Sequence, residues 1–359
     1  MVQTDEISTL LNLFPEPAFS VMDGTIECVN RTAQSYLIEA GQSVFPLLLS
    51  GADEYTEFQG GTLYLTLTTP KVICGVSVTR MGRRDFFIFE SEEGHAELRA
   101  YALAAQQLRL SLSNCMLMTD RLFPKLELND AQQDQVSRMN RSLYQMLRTV
   151  SNMSDASRCC TDTPKMETVE LCAFLQELFD QARDLGEAAG ISVRYAGPSE
   201  PVYMLADSEM LERAVLNLLS NAIKFTPKNG GPVQASLTRR GDLMYLTVAD
   251  SGSGIPDSIR GSIFTRYRRT PSIEDSVHGL GLGMVFVRAA ASAHSGAVLV
   301  EQPEAGGTRV TMTLKIRKNP TSAMRSPIFR VDYTGERSHG LVELSDTLPA
   351  SLYDKDSIN

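Results

Sequence analysis

Four polar residues recur at helical spacing in the segment DSEMLERAVLNLLSNAIKF, which begins at residue 207. They are Arg213, Asn217, Asn221 and Lys224. Steps of four, four and three residues place them on one face of a helix, away from the face of leucine, valine and alanine. Asp207 is suited to cap this helix at its start. Two carboxamides one turn apart form a polar binding face or an ordinary solvent-exposed face, and the stripe alone does not separate these interpretations.

The next segment with chemical potential, LTVADSGSGIP, is an apolar strand that leads into a glycine-rich turn. It places Asp250 at the end of the strand, followed by Gly252 and Gly254. A carboxylate in this position can accept a hydrogen bond from an exocyclic amine, and glycines let the backbone approach a flat base closely. The segment therefore predicts one wall of a binding site for a flat ligand that carries an amine.

A second glycine-rich stretch, HGLGLGM, precedes the apolar helix VFVRAAASAH. Its glycines are Gly279, Gly281 and Gly283. Glycines at the entry to a helix leave backbone N–H groups and the positive end of the helix dipole open to phosphate oxygens. One glycine-rich loop is weak evidence, but here it follows the polar stripe and the Asp250 turn, so three elements suited to one site occur in order along the chain.

Taken together, NLLSNAIKFTP, DSGSGIP, IFTRYRR and GLGLGM resemble the successive nucleotide-binding boxes of the histidine-kinase ATPase domain, in the wider family shared with gyrase and Hsp90. The resemblance covers residues 165–316 and implies a two-layer α/β sandwich that binds ATP and Mg²⁺. It implies that Asn221 binds the Mg²⁺ and that Asn217 and Lys224 support the metal and the phosphates.

The same resemblance implies roles on the base and lid sides of the site. Asp250 is expected to bind the adenine amine, in a pocket shaped by Gly252 and Gly254. The lid hinge and the phosphate contacts are expected at Gly279, Gly281 and Gly283. Arg268 is a candidate lid contact, with a salt bridge to Glu274 or Asp275 as the alternative. The histidine of AHSG, His294, is expected to be structural.

The elements that would position this site include a helical hairpin over residues 92–157. Apolar residues spaced alternately by three and four form one seam in each helix. The first seam is Leu98, Tyr101, Ala105, Leu108, Leu112, Cys115, Thr119 and Leu122; the second is Val136, Met139, Leu143, Met146, Val150 and Met153. Because a lone hairpin has little core, two copies are expected to form a dimeric four-helix bundle. The alternative is a helix pair packed within one chain.

In kinases of this type the hairpin carries a phosphate acceptor in the motif His-Glu-Leu-Arg-Thr-Pro-Leu. Laid on the stretch AQQLRLSLS at residues 105–113, that motif puts Gln106 at the histidine and Gln107 at the acid. An imidazole is a nucleophile near neutral pH, whereas a carboxamide is not. His95, about 16 Å away along a helix at 1.5 Å per residue, and the serines Ser111 and Ser113 are the alternative acceptors.

Two function classes therefore stay open. The first is a sensor of histidine-kinase architecture that binds Mg-ATP and signals through conformation or a partner such as a response regulator. The second is an active kinase that phosphorylates another protein, as anti-sigma-factor serine kinases do, or uses a relocated acceptor.

The N-terminal residues 7–90 are predicted to form a compact α+β module. FSVM and TIECVN flank the turn-forming Asp23-Gly24, Asn30 is suited to cap a short helix, and three more strand-like segments follow. This order resembles a PAS domain. The predicted fold class is thus multidomain α+β, with a PAS-like sensor module, a helical hairpin and an ATPase sandwich.

Composition excludes several other functions. A net charge of −9 and a pI of about 5.1 argue against a nucleic-acid surface. No apolar run reaches the ~18 residues that span a bilayer, and the acidic start is unlike a signal peptide, so a cytoplasmic protein is expected. The six cysteines lack paired CxxC spacing and are expected to be idle thiols. Residues 317–359 are expected to form a flexible tail, with partner recruitment through its short apolar segments as the alternative.

Overall fold

The computed structural model describes residues 4–90, 94–161, 163–227, 230–256, 263–264, 281–317 and 338–354. In chain order these residues form an N-terminal α+β module, a helical hairpin, a second α+β region and a short C-terminal segment. No helix in these ranges is both long enough and apolar enough to cross a membrane.

The N-terminal module has the local features that the sequence predicts. Its helices are α1 (Thr4–Leu11), α2 (Arg31–Gln34) and α3 (Ala52–Glu57). Its strands are β1 (Ala18–Met22), β2 (Thr25–Val29), β3 (Leu48–Ser50), β4 (Thr62–Thr68), β5 (Ile73–Met81) and β6 (Arg84–Phe89). Asp23 and Gly24, at φ 50° and 78°, make the tight turn between β1 and β2. Asn30 caps α2 by accepting from Ala33 N at 2.8 Å. The more specific PAS resemblance stays a prediction.

The helical hairpin consists of α4 (Gly94–Leu122) and α5 (Asp130–Thr161). Its inward-facing side chains include Ala105, Leu112, Met116, Leu143, Tyr144 and Leu147, all buried. Other residues of the two predicted seams remain open: Leu108 and Leu122 are 54% and 55% exposed, and Met146 is 49% exposed. The hairpin therefore buries only part of each seam within one chain.

The second α+β region follows the hairpin. Its helices are α6 (Leu171–Ala188), α7 (Ser208–Phe225) and α8 (Gly283–Ala293). Its strands are β7 (Glu167–Glu170), β8 (Val193–Ala196), β9 (Tyr203–Ala206), β10 (Val233–Arg240), β11 (Leu243–Ala249), β12 (Val298–Glu301) and β13 (Arg309–Lys315). The apolar faces of α6, α7 and α8 share one core with inward-facing residues of β10, β11 and β13. This core therefore lies between helices and a sheet, as in the expected two-layer sandwich.

The two α+β regions share one sheet, which the sequence does not predict. In the described residues the strand order is β2-β1-β6-β5-β4-β12-β13-β11-β10-β8, with β3 also paired to β4. The junction is an antiparallel pairing of β4 with β12, in which Tyr64 lies opposite Val298. Gly61, at φ 90°, permits the close approach, because an added Cβ would lie 2.3 Å from the carbonyl oxygen of Val300. This pairing covers two strand edges, one on β4 of the N-terminal module and one on β12 of the second region, that would otherwise be open.

Residues 338–354 also pack against the body of the protein. They comprise α9 (His339–Glu343) and a 3₁₀ turn at Ala350–Tyr353. Val342, Leu344, Leu348 and Tyr353 are each 0% exposed. This placement differs from the flexible tail expected over 317–359, because the spaced apolar residues of this stretch complete a core that the rest of the chain leaves open.

Candidate functional site

Helix α7 is the central wall of the candidate site. Its N-cap is Asp207, whose carboxylate accepts from Met210 N at 3.0 Å, as the sequence predicts. Of the predicted polar stripe, Asn217 is 2% exposed, whereas Asn221 and Lys224 are half-buried. The Nδ2 of Asn217 donates to Arg213 O at 2.9 Å, which fixes the side chain and orients its Oδ1 away from the helix backbone.

Arg213, the first member of the stripe, is covered by another helix. It forms an ion pair with Asp155 of α5, and both side chains are buried. Its guanidinium also lies 5.2 Å from the ring centroid of Phe286 on α8. Arg213 therefore joins α5, α7 and α8 and is not part of the open site.

Asp250 lies just beyond the end of β11 and faces inward. Its Oδ1 accepts from Gly252 N at 2.8 Å and from Thr308 N at 3.1 Å. Burial raises the pKa of this carboxyl above its ordinary value, while the bonds from Gly252 and Thr308 oppose the rise. Since a carboxylate has about four lone-pair sites, it retains capacity to accept from a ligand amine.

Thr308 is a site residue that the sequence analysis missed. It follows Gly306-Gly307, and Gly307 has φ 81°. A Cβ at Gly307 would lie 2.0 Å from Asp250 O, so only glycine allows this loop to lie against the end of β11. The sequence Gly-Gly-Thr before a strand could have indicated this residue, because glycines there allow a loop to pack closely against a neighbouring strand.

The DSGSGIP turn packs against the C-terminal end of α7. A Cβ at Gly252 would lie 2.5 Å from Phe225 O, so a side chain there would push the turn away from the helix. Gly254 has φ 76°, in the left-handed region that favours glycine. These contacts explain both glycines, and they place the Asp250 carboxylate beside the end of α7.

The second glycine-rich stretch reaches the middle of the same helix. Gly281 has φ 69° and α8 begins at Gly283. A Cβ at Gly283 would lie 3.0 Å from Asn217 Oδ1 and 3.6 Å from Asn221 Nδ2. The structure thus brings the N-terminus of α8 against both predicted carboxamides. Gly279 and Arg268 lie outside the described residues.

The assembled site has two ends along α7. One end is the Asp250 carboxylate with Gly252 and Gly254, and the other is the N-terminus of α8 with Asn221 and Lys224. A helix N-terminus offers N–H donors and a positive dipole to anions, and amide oxygens are ligands that Mg²⁺ accepts. The arrangement can hold a nucleotide, with a flat base at one end and phosphates at the other.

His294 has a structural role, as the sequence predicts. Its Nε2 accepts from Asp207 N at 3.0 Å and its Nδ1 lies 2.7 Å from Ala290 O, which defines a neutral ring. Burial lowers its pKa below the ordinary value of 6.5. The ring therefore ties the end of α8 to the N-cap of α7.

Gln106 is exposed on α4 and follows the fully buried Ala105. One turn further, Arg109 donates to Ser151 Oγ of α5 at 3.2 Å. Of the alternative acceptors, Ser111 is exposed and Ser113 donates to Arg109 O at 2.8 Å. Position 106 is therefore open to an incoming group, but it carries a carboxamide.

Comparison with known proteins agrees with this geometry. Residues 206–318 match the family described as Histidine kinase-, DNA gyrase B-, and HSP90-like ATPase. The chain is 29% identical over 236 residues to hybrid signal transduction histidine kinase D of Dictyostelium discoideum, which covers 61% of this chain and 15% of that protein. It is 29% identical over 233 residues to the sensor-like histidine kinase SenX3 of Mycobacterium tuberculosis, covering 65% of this chain and 53% of that one.

Among solved structures, full-length ShkA in complex with AMPPNP has a similar fold, with a TM-score of 0.51 and 24% identity over 62% of this chain and 47% of that one. This chain spans no more than about half the length of these relatives. Residues 206–318 thus match the ATPase family that includes histidine kinases, and the chain as a whole is similar to sensor histidine kinases.

Proposed function

We propose that this protein is a signal-transduction protein of the two-component sensor histidine kinase type that binds Mg-ATP in the site on α7. The observation that carries the proposal is the Asp250 carboxylate, fixed by Gly252 N and Thr308 N beside the helix that holds Asn221. The ATPase family match over residues 206–318 supports it.

The residues present fit the nucleotide and its metal. Asn217 is buried and held by its own helix, whereas Asn221 is half-buried one turn further along α7. Asn221 is therefore the amide that can reach a Mg²⁺, and Asn217 supports it from behind. Lys224, whose Nζ lies 5.7 Å from the Phe225 ring centroid, is placed to approach phosphate oxygens from the end of the helix. Bound Mg²⁺ would neutralise phosphate charge.

Calorimetric titration with Mg-ATP tests this assignment. Asn221→Ala and Asp250→Ala should each lower the affinity at least about tenfold, or about 1.4 kcal/mol. Asn12→Ala, an exposed asparagine in the N-terminal module, is the control and should bind as the wild type does. Equal affinity in all four proteins would show that the nucleotide does not bind here.

We further propose that Gln106 replaces the phosphoacceptor and that the output is conformational. The support is chemical: position 106 is exposed where an acceptor would be, yet a carboxamide cannot take a phosphoryl group as an imidazole does. Incubation with labelled ATP should give no label in the wild type. The double variant Gln106→His, Gln107→Glu should gain label that is stable to alkali and labile to acid, while Gln107→Glu alone should not.

Label in the wild type that Ser111→Ala or Ser113→Ala removes would contradict this output and support a relocated acceptor. Loss of label in a variant at His95 would support the same conclusion.

The second candidate function is an active kinase that phosphorylates a partner protein, as anti-sigma-factor serine kinases do. A nucleotide site on α7 in a chain that has Gln106 at the acceptor position supports this candidate, because the phosphoryl group would then go to another protein. Label that appears on another protein only when cell extract is added, and that Asn221→Ala abolishes, would establish this function over the conformational one.

A homodimer through the hairpin, and with it a response regulator or other protein partner, belongs to the same proposal. The open seam residues Leu108, Leu122 and Met146 support a dimer, since they extend the buried seam of α4 and α5. Light scattering on the full chain should give twice the mass of one chain, and the double variant Leu108→Gln, Met146→Gln should give the mass of a single chain. If the wild type is monomeric at tens of micromolar, the prediction of a dimeric four-helix bundle is wrong.

A further inference from the structure

The C-terminal clasp, defined as residues 338–354, fills a junction between the hairpin and the ATPase domain. Its buried side chains lie in the same core as residues of α5, α6 and α7. The ring of Tyr353 packs edge-on against Tyr144 of α5, with 5.0 Å between centroids. Its hydroxyl donates to Leu341 O at 2.7 Å, which closes the segment on itself. The clasp is therefore a built element with its own internal hydrogen bond.

One face of α5 binds the clasp backbone. Asn140 Nδ2 donates to Tyr353 O at 3.0 Å, and Gln145 Nε2 donates to Ser345 O at 3.2 Å. Arg141 donates to the carbonyls of Ser345 and Asp346 at 3.1 and 3.0 Å. Asn140 and Arg141 are adjacent and Gln145 lies one helical turn further along, so one side of α5 holds several carbonyls of the clasp. Backbone carbonyls that would otherwise be buried without partners are satisfied in this way.

Arg148, one turn further along α5, links three elements. Its Nε lies 3.2 Å from Glu343 of the clasp, and its other nitrogens bond Asp346 of the clasp and, at 3.0 Å, Ser220 Oγ of α7. The Arg148 side chain is 10% exposed and Glu343 is 1% exposed. Because a buried guanidinium needs partners, the two clasp carboxylates hold Arg148 where it can reach α7.

The clasp also contacts the ATPase domain directly. His339 Nδ1 lies 2.7 Å from Glu212 Oε1 on α7. Gly340 lies against α6, since an added Cβ would be 2.6 Å from Leu185 Cδ1. The clasp is thus bound to α5 on one side and to α6 and α7 on the other.

We propose that the C-terminal clasp is an autoinhibitory device that fixes the ATPase domain on α5, so that its release frees the domain to change position relative to the hairpin. The clasp residues lie outside the set that lines the nucleotide site, so the device acts on where the domain sits and leaves the site itself intact. This inference rests on the proposed function, in which the output is a change of conformation, because a domain fixed on α5 cannot change its position relative to the hairpin.

The test uses the full chain with a specific protease site placed between residues 325 and 330. Spin labels carried by non-natural residues at positions 135 on α5 and 177 on α6, both exposed, report the distance between the hairpin and the domain. The intact protein should give one narrow distance distribution. Cleavage and removal of the released fragment should broaden it, and a synthetic peptide of residues 338–354 should restore it.

A second variant guards against loss of folding in the stripped protein. Glu343→Gln with Asp346→Asn leaves the chain intact and removes both clasp charges from Arg148. It should broaden the distribution and release the cleaved fragment at least about tenfold faster, or about 1.4 kcal/mol. Asp134→Asn, which removes an exposed acid from α5, is the matched control and should match the wild type.

If the stripped protein keeps its circular dichroism and its narrow distribution, the clasp does not fix the domain. If it unfolds, an unchanged distribution in the double variant overturns the proposal instead. The distance measurement needs no nucleotide, so it decides the clasp independently. Failure of Mg-ATP titration in the wild type would instead overturn the proposed function.

Discussion

The pair formed by Arg288 of α8 and Glu90, just after β6, is expected to hold the N-terminal module on the ATPase domain. Arg288 is 4% exposed and Glu90 23% exposed as side chains. The Arg288 guanidinium also lies 5.6 Å from the ring centroid of Tyr64 on β4, whose hydroxyl donates to Glu90 at 3.2 Å. We predict that Arg288→Met, which keeps the apolar stem, destabilises the protein substantially.

The magnitude follows from burial. Removing one partner of a buried ion pair costs about 3–5 kcal/mol, and a desolvated cation–π contact adds about 2 kcal/mol. Glu90 is partly exposed and keeps its hydrogen bond from Tyr64, so its charge is still solvated and bonded in the variant. The cost of breaking the ion pair is therefore at the lower end of the 3–5 kcal/mol range, at about 3 kcal/mol. We therefore expect a loss of about 5 kcal/mol in Arg288→Met, of which about 3 kcal/mol comes from the ion pair and about 2 kcal/mol from the cation–π contact. We expect a coupling free energy between Arg288 and Glu90 of about 2 kcal/mol.

A double-mutant cycle with Glu90→Gln measures the coupling. The chain has no tryptophan, so urea unfolding is followed by far-ultraviolet circular dichroism. The control cycle uses Arg83 and Asp23, a pair with side chains 79% and 67% exposed, which should couple by less than about 1 kcal/mol. If Arg288 and Glu90 couple no more strongly than this exposed pair, the ion pair does not hold the junction.

Three further predictions concern the site. Burial raises the pKa of Asp250 above its ordinary 3.8, so its carboxylate takes up a proton at a higher pH than an exposed aspartate does. Mg-ATP affinity should therefore fall as the pH drops through the pKa of Asp250. Profiles of affinity against pH that run parallel in the wild type and Asp250→Asn would contradict this. Burial lowers the pKa of His294 in the folded protein. The contribution of the neutral ring to the free energy of unfolding is therefore present above the ordinary 6.5 and is lost as the pH falls through the folded pKa. The urea midpoint of the wild type should decrease over this range, and that of His294→Gln should not show this decrease. Gly307→Ala, whose Cβ would lie 2.0 Å from Asp250 O, should weaken Mg-ATP binding by about tenfold or more in calorimetry. Gly306→Ala carries the same strain of a positive φ, at 88° against 81°, but its Cβ meets nothing within 4 Å, so it should weaken binding less.

Local features of the fold could be predicted because they depend on neighbours in the chain. The Asp23-Gly24 turn needs only two residues that accept positive φ, and the cap of α7 needs only Asp207 three positions before its donor. Asp250 and Gly283 could each be assigned to the end of a strand or helix from local sequence, and the family resemblance predicted that they serve one site. The geometry of the site then follows from where three local motifs meet on α7.

Other features could not be predicted, because their partners are far apart in sequence. Tyr64 and Val298 pair across the sheet junction, and neither strand carries a pattern that specifies the other. Arg213 was placed on a polar stripe, but its partner Asp155 lies on the preceding hairpin. The clasp was expected to be flexible, because its apolar stretches are too short to form a core alone. They become buried only against α5, α6 and α7, which are distant in sequence.

Besides the C-terminal clasp, two sets of contacts hold the ATPase domain, and both reach the helices that form the walls of the nucleotide site. From the N-terminal module, Tyr64 contacts the Phe264 ring at 5.3 Å and Glu90 binds Arg288 of α8. From the hairpin, Asp155 binds Arg213 of α7.

Because coupling between sites is reciprocal, a module that influences these helices must itself respond to nucleotide. Backbone amides of β4 should therefore change their hydrogen exchange when Mg-ATP binds, and Arg288→Met should remove that change. If β4 exchanges at the same rate with and without Mg-ATP in the wild type, the shared sheet is a scaffold that carries no signal.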